Sequence, residues 1–357
     1  MIKVGFNNYP LKSLHSARGI GTYTRSLLGA LKKENDLEVV EFDSIKKLPN
    51  VDTVHYPWFD PFFKTLKLNK NIPTIVTIHD VIPLVFPKHF PVGIKGKINF
   101  YFQKKALEKV RFIITDSENS KKDIIKYLGL DKNKIRVVLL APDPQFRKLN
   151  EDELNFVREK FNLPDNYILF VGDANYTKNL PLLIESFKEL LTDKKLKDLK
   201  LVLVNNVFLK KDDMDHAELK SLKKVNELIQ KYDIEKNILR MGKVESEDLV
   251  GIYNLAKVYV QPSLYEGFGI PILEAMACGV PVVSSNRSSL PEVGGDAVVY
   301  FNSESKSDLV SNLTDVLLNP NLQKKLSDKG TKRSKLFSWE KTASQVKNIY
   351  EESTKIS

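Results

Sequence analysis

The sequence predicts an α/β fold made of two Rossmann-like domains, each a doubly wound parallel sheet. Three observations carry that prediction. Short β-branched runs alternate with amphipathic stretches, which is the pattern of strand–helix–strand units and a parallel sheet. The series restarts midway along the chain, at Tyr167. The 357 residues, 42% of them apolar, are too many for one ordinary core and enough for two.

In order, the first series of strand runs is "IKVGF", "LEVVEF", "TVHY", "TIVTIH", "RFIITDS" and "IRVVLL". The second is "YILFVG", "KLVLVN", "ILRMG", "KVYVQPS", "VPVVSS" and "AVVYF". Helical stretches such as "TYTRSLLGALKK" and "SKKDIIKYLGL" lie between them. The joint is "LLAPDPQFRKLNEDELNFVREKFNLPDN", rich in Pro, Asp and Lys and without a continuous apolar period. It places the boundary near Pro144, giving domains of residues 1–144 and 145–337. The closing "FSWEKTASQVKNIYEE" reads as one amphipathic helix over 338–357, with Ser338 as its N-cap.

Composition narrows the function classes. No apolar run approaches the ~20 residues of a transmembrane helix. The start, "MIKVGFNNYP", carries no cleavage pattern. Cys278 is the only cysteine, so neither a disulfide framework nor a thiolate zinc cluster is expected. A cytoplasmic protein fits these features. The net charge of +10 points to an anionic partner, or else to a solvated Lys-rich surface. No RNP motif, zinc finger or helix-turn-helix pattern stands out, so nucleic acid is not an expected partner.

Four loops at strand ends carry candidate chemistry. In "YEGFGIPILEAMACGVPVVSS", Glu266 and Glu274 flank a Gly-Phe-Gly turn that opens a helix at Pro271 and closes it at Gly279. Amides of Gly267, Phe268 and Gly269, with the positive helix end, suit a phosphate. Glu274, expected in the first, solvent-facing turn, could accept from the vicinal diol of a ribose. Glu266 could face hydroxyls of a second sugar. A diphosphate between two sugars is a nucleotide sugar. The plainer alternative is that Glu274 complements the helix dipole and Glu266 is solvated. In "ARGIGTYTRSLLGAL", Gly19 and Gly21 form a turn before a helix with Thr22 as N-cap, or an ordinary capped turn. His79 ends the strand "TIVTIH", either donating to a phosphate or sugar or bonded to backbone. Lys178, in "VGDANYTKN", follows the first strand of the second domain, where a phosphate needs a counter-charge.

Taken in this order, the motifs resemble those of retaining GT-B glycosyltransferases of family 4, over essentially the whole chain. Glu266 and Glu274, with seven residues between them, match that family's E-x7-E motif. "PSLYEGFGIPILEAMACGVPVV", "SSLPEVGGDAVVYF", "SENSKKDI" and "FSWEKTA" are also similar. The resemblance implies two domains facing across a cleft, with the last helix crossing back to the first. It implies Glu274 at the ribose and Glu266 at the donor sugar. Gly267, Phe268, Gly269 and Ile270 would bind the donor, Gly19 and Gly21 would approach the diphosphate, His79 would lie near the transferred sugar, Lys178 at the diphosphate and Val244 near the base. It implies no metal and no cofactor besides the nucleotide sugar. Asp173 departs from the pattern, because many members carry Arg there.

The implied reaction moves a hexosyl group to a glycan or lipid-linked acceptor in surface polysaccharide synthesis. "HDVIPLVFPKHFP" resembles bacterial mannosyl- and rhamnosyl-type members acting on surface polysaccharides, and by that analogy GDP-mannose is the first donor to test. The main alternative is a nucleotide-sugar-binding module without catalysis. A nicotinamide dehydrogenase would want a third glycine, which "GIGTYT" lacks. The acidic run "KKDDMDH" is expected to be a solvated loop rather than a metal site. Finally, "VGIKGKINFYFQKKALEKVRF" mixes Lys with aromatics in one helical pattern. It is either a core-facing helix with a Lys-rich outer face or a peripheral membrane contact through residues 94–109.

Overall fold

The structure, a computed structural model, describes residues 1–13, 19–44, 46, 48, 50–68, 71–210 and 219–355. It divides into two compact units, Met1–Ala141 with Phe337–Ser357, and Pro142–Leu336. The first unit holds β1 (Ile2–Asn7), β2 (Leu37–Phe42), β3 (Thr53–Tyr56), β4 (Thr74–Thr77), β5 (Phe112–Thr115) and β6 (Ile135–Val137). The second holds β7 (Tyr167–Val171), β8 (Lys200–Val204), β9 (Ile238–Met241), β10 (Val258–Gln261), β11 (Val282–Ser285) and β12 (Val299–Phe301). Every run read from the sequence as a strand is one.

All pairings are parallel, in the orders β2-β1-β3-β4-β5-β6 and β12-β11-β10-β7-β8-β9. Helices cover such sheets on both faces, so β3, β4, β10 and β11 are buried at every residue. Continuous β-branched runs, rather than alternation, follow from that double burial. Val54, Val76, Ile113 and Ile135 pack on Leu107, Ile124 and Leu128 in the first core. Ile168, Leu201, Val258 and Val283 pack among Leu183, Phe187, Val225 and Leu313 in the second. In each sheet the order of strands reverses beside the first strand, between β1 and β3 and between β7 and β10. The carboxyl ends of strands at such a reversal are where α/β sheets bind ligands.

The helix Trp339–Lys355 belongs to the first unit. Ser338 Oγ caps it, accepting from the Lys341 N–H at 3.3 Å. The helix is fastened by a buried polar relay. His55 Nδ1 meets the Tyr350 hydroxyl at 2.7 Å, and His55 Nε2 meets Thr77 Oγ1 at 2.8 Å. Tyr23 reaches the same threonine at 3.1 Å. Burial, and to a lesser degree His79, push the His55 imidazole down to about 3, so it is neutral and its two nitrogens divide donor and acceptor roles.

Two local expectations are corrected. The helix Gly19–Leu31 already includes Gly19 and Gly21, so Thr22 is a helical residue and not an N-cap. Burial of Tyr23, Thr24, Leu27 and Leu28 outweighs the ~1 kcal/mol each glycine costs in a helix. The helix Ile94–Leu107 faces the core with a mixed side, in which Leu107, Phe100 and Ala106 pack on the core beside two buried amides. It buries Asn99, Gln103 and Leu107, and leaves Ile94, Ile98, Tyr101 and Phe102 from 53% to 81% exposed. The buried amides satisfy an irregular stretch of backbone. Asn99 Nδ2 donates to the Phe62 carbonyl at 2.9 Å, Gln103 Oε1 accepts from the Leu66 N–H at 2.8 Å, and Gln103 Nε2 donates to the Leu66 carbonyl at 3.2 Å. Of the "KKDDMDH" run, residues 211–216 lie outside the described residues.

Candidate functional site

Two loops at the carboxyl ends of the neighbouring strands β7 and β10 build the site of the second unit. After β7, Gly172 takes φ +150° and Asn175 caps the short turn Tyr176–Lys178, accepting from the Thr177 N–H at 3.0 Å. After β10, the Leu264 N–H donates to the Thr177 carbonyl at 2.7 Å, and Asn179 Nδ2 donates to the Pro262 carbonyl at 3.1 Å. These bonds lock one loop to the other and bring Lys178 to Glu266.

Glu266 is the hub. Its Oε1 accepts from Lys178 Nζ at 2.7 Å, Gln261 Nε2 at 2.6 Å and Ser263 Oγ at 2.6 Å, and its Oε2 lies 2.8 Å from the same ammonium. Its backbone N–H donates to Ser288 Oγ at 2.8 Å, and Ser289 Oγ donates to the carbonyls of Glu266 and Phe268 at 2.9 and 2.7 Å. Ser288 itself sits at φ +50°, a conformation a non-glycine residue holds only when its surroundings impose it. Burying a carboxylate this deeply requires a counter-ion and satisfied lone pairs, and Glu266 has both. Lys178 is thus already paired with a carboxylate inside the protein. Asp173 is exposed, and its Oδ1 accepts from the Ala174 N–H at 2.6 Å.

Gly269, at φ +115°, is the N-cap of the helix Ile270–Ala277. Only glycine fits easily, since a Cβ there would stand 2.9 Å from Leu290 Cδ2. Gly279, at φ +74°, ends the helix in a Schellman turn, with N–H bonds from Gly279 to the Met276 carbonyl and from Val280 to the Ala275 carbonyl. Phe268 and Gly269 are buried and Gly267 is half-buried, and Gly267 and Phe268 each have interaction partners within the protein. Ile270 and Val244 are half-buried, at the first turn of this helix and in the loop after β9. Glu274 lies in the second helical turn, not the first, and is half-buried rather than solvent-facing. Burial pushes its carboxyl up to about 7, opposed by a 2.9 Å hydrogen bond from the Tyr253 hydroxyl and reinforced by Asp143. The two glutamates thus differ in kind, one ion-paired and one poised to titrate near neutrality.

The first unit carries its own cluster. His79 follows β4 and Asp116 follows β5, and His79 Nδ1 meets Asp116 Oδ2 at 2.7 Å. The Tyr23 ring stands edge-on to the imidazole, centroids 4.5 Å apart. Burial lowers the pKa of His79, but Asp116, with Asp80 and the Pro57 carbonyl, more than reverses this and leaves it above the usual value. Sequence reasoning missed Asp116, although "IITDS" puts it at a strand end beside His79's strand. It also missed Gln261, Ser263, Ser288 and Ser289, whose signal is polar residues immediately after the apolar runs of β10 and β11. Gly19 is exposed and Gly21 buried, both in the first turn of their helix.

The model of glycosyl transferases group 1 matches residues 151–333, more than half of the chain, and that of glycosyltransferase family 4 matches residues 41–146. The chain belongs to the glycosyl transferases group 1 family. The O-antigen chain mannosyltransferase B of Escherichia coli is 29% identical over 280 residues, covering 77% of this chain and 69% of that one. The serotype-specific mannosyltransferase WbdA of Escherichia coli is 28% identical over 76% of this chain, an alignment that takes in only 33% of WbdA. The sucrose-phosphate synthase structure from Thermosynechococcus elongatus matches over the full length of both chains, with a TM-score of 0.75 at 17% identity. The fold is GT-B and the protein is a glycosyltransferase.

Glu274 gives a two-sided prediction. A glutamate whose folded pKa is raised binds protons in the folded state that the unfolded state has lost. Stability is therefore lost as pH rises from 4.5 toward 7, by roughly 3 kcal/mol when complete. Glu274→Gln should raise the unfolding temperature at pH 8 and leave it unchanged at pH 5. If the carboxylate holds ribose hydroxyls, the same change weakens nucleoside-diphosphate binding by about 1.5–3 kcal/mol at pH 8. Wild-type affinity also falls as pH drops below about 7. Calorimetric titration and thermal scans check both halves. Unchanged affinity removes the ribose role, and a lowered unfolding temperature at pH 8 makes Glu274 a structural support.

Proposed function

We propose that this glycosyltransferase is retaining and metal-independent, and that it moves a hexosyl group from a nucleoside-diphosphate sugar to a glycan or lipid-linked acceptor of a surface polysaccharide. The supporting observation is the Lys178–Glu266 pair at the β7/β10 reversal, beside the start of the helix Ile270–Ala277. There the second unit offers a cation for a diphosphate, a fixed carboxylate for sugar hydroxyls and Glu274 for a ribose diol. The mannosyltransferases among its relatives make GDP-mannose the first donor to test.

In the proposed reaction the bond from the anomeric carbon to the diphosphate breaks as the acceptor oxygen bonds to that carbon on the same face. The acceptor's proton passes to an oxygen of the leaving diphosphate. The barrier falls where charge develops, so Lys178, which can turn from Glu266 to the leaving phosphate, carries the electrostatic share. His79 is assigned to the transferred sugar, held in orientation by Asp116. Gly19 and Gly21 are assigned to the diphosphate, Gly267, Phe268, Gly269 and Ile270 to the donor, and Val244 to the base.

Purified protein with GDP-mannose, UDP-glucose and related donors should release nucleoside diphosphate from one of them, with or without EDTA. Lys178→Ala should lower kcat for that donor by roughly a hundredfold. Binding of the free nucleoside should stay within about threefold. An unchanged kcat removes Lys178 from the mechanism.

The proposal extends to a peripheral, salt-sensitive contact of residues 94–109 with an anionic bilayer, in a cytoplasmic protein. The exposed Ile94, Ile98, Tyr101 and Phe102, among Lys95, Lys97, Lys104 and Lys105, support it. Each such lysine contributes about 1 kcal/mol at an anionic surface. Anionic vesicles should sediment the protein at low salt and release it at high salt, and changing Lys97, Lys104 and Lys105 to Glu should weaken the effect. Failure to sediment at low salt points to an acceptor free in solution.

A further inference from the structure

A cavity lies away from the loops described above, at the opposite end of the first unit's sheet. It is lined at the amino ends of β4 and β5 by Thr74 and Phe112, and just before β6 by Lys134. The helix Ile94–Leu107 and the turn after it add Phe102, Lys105 and Lys109, and Leu68 and Ile72 complete an apolar side. Its volume is about 1050 Å³, the upper end of the range for small-molecule sites. The donor chemistry belongs at the carboxyl ends of the strands, so this cavity is not part of it.

Four cations line it, Lys105, Lys109, Arg111 and Lys134, and among the described residues its lining contains no carboxylate. Two of the four are already engaged. Lys134 Nζ donates to the carbonyls of Glu108 and Val110 at 2.9 and 3.3 Å, and Lys105 pairs with Glu108 at 3.2 Å. Arg111 is different. Its backbone N–H is fixed to the Thr74 carbonyl at 2.8 Å, yet its Nε and Nη2 are buried without any hydrogen-bond partner. A guanidinium has five donors in a rigid fork suited to a phosphate, and buried donors are rarely left unmade. No carboxylate forms an ion pair with it among the described residues.

The apolar side continues outward. Phe102 stands four residues from Ile98, which stands four from Ile94, so the three form one stripe along the helix from the cavity mouth. All three are exposed. Over eight residues the stripe runs about 12 Å.

We infer that this cavity is a binding site for a phosphate-bearing amphiphile. The phosphate pairs with Arg111 and Lys109, and the hydrocarbon chain lies against Phe102, Ile98 and Ile94. The inference assumes nothing about the donor sugar.

The test is equilibrium titration of the full chain, at micromolar protein and fixed salt, with dodecyl phosphate below its micellar concentration. Inorganic phosphate and dodecyl maltoside serve as the two half-ligands. Two variants accompany the wild type, Arg111→Leu and, at an exposed site, Lys109→Glu, each checked for an unchanged unfolding temperature. The expected result is that dodecyl phosphate binds at least tenfold more tightly than either half-ligand. Arg111→Leu should weaken it at least tenfold and Lys109→Glu severalfold. If Arg111→Leu does not fold, Lys109→Glu alone decides. Equal binding of inorganic phosphate would reduce the site to a plain anion site and overturn the amphiphile. Equal binding of dodecyl maltoside would reduce it to an apolar patch, and unchanged affinity in the variants would place the ligand elsewhere.

Discussion

The second unit is organised around one buried ion pair, Lys178 with Glu266. Taking both charges out of water is costly, and their attraction offsets that cost only when the remaining lone pairs and protons also find partners. Gln261 and Ser263 supply those partners at 2.6 Å each. Ser288 and Ser289 hold the backbone that carries Glu266, and Asn179 and Thr177 hold the backbone that carries Lys178. The constraint reaches the sheet itself, because only the reversal of strand order between β7 and β10 sets these two loops side by side. Removing either charge would leave the other buried and unpaired.

Glu274 illustrates the opposite solution to the same problem. Among the described residues it has a tyrosine hydroxyl but no cation as partner, and burial raises its pKa. A protein that keeps an unpaired carboxyl in such a place gives up stability above neutral pH, a sacrifice typical of binding sites. In the first unit, His79 and Asp116 form a third arrangement, in which a nearby carboxylate holds an imidazole toward its charged form against burial.

The strands were fully legible because parallel strands buried on both faces must be continuous apolar runs. The cap of the last helix and the glycine that closes the helix Ile270–Ala277 were legible for similarly local reasons. What the sequence concealed was long-range or inverted. Lys178 and Glu266 lie 88 positions apart, and nothing in "YTKN" reveals that its lysine will meet a carboxylate. Asp116 gains meaning only from lying beside the strand that ends at His79. The helix Ile94–Leu107 defied its periodicity because Asn99 and Gln103 answer backbone groups of a separate loop, which leaves Tyr101 and Phe102 facing outward while Phe100 packs on the core. Gly19 and Gly21 looked like a turn because glycine usually breaks helices, and tertiary burial overrode that tendency.

The central claim is that Lys178 is shared between Glu266 and the diphosphate of a donor bound at the β7/β10 reversal. A crystal structure with a nucleoside diphosphate bound tests it most directly. The account predicts the terminal phosphate within hydrogen-bonding distance of Lys178 Nζ, the Nζ–Glu266 contact lengthened from its present 2.7 Å, and the ribose hydroxyls at Glu274. A nucleotide bound elsewhere, with Lys178 still engaged by Glu266 alone, would contradict it.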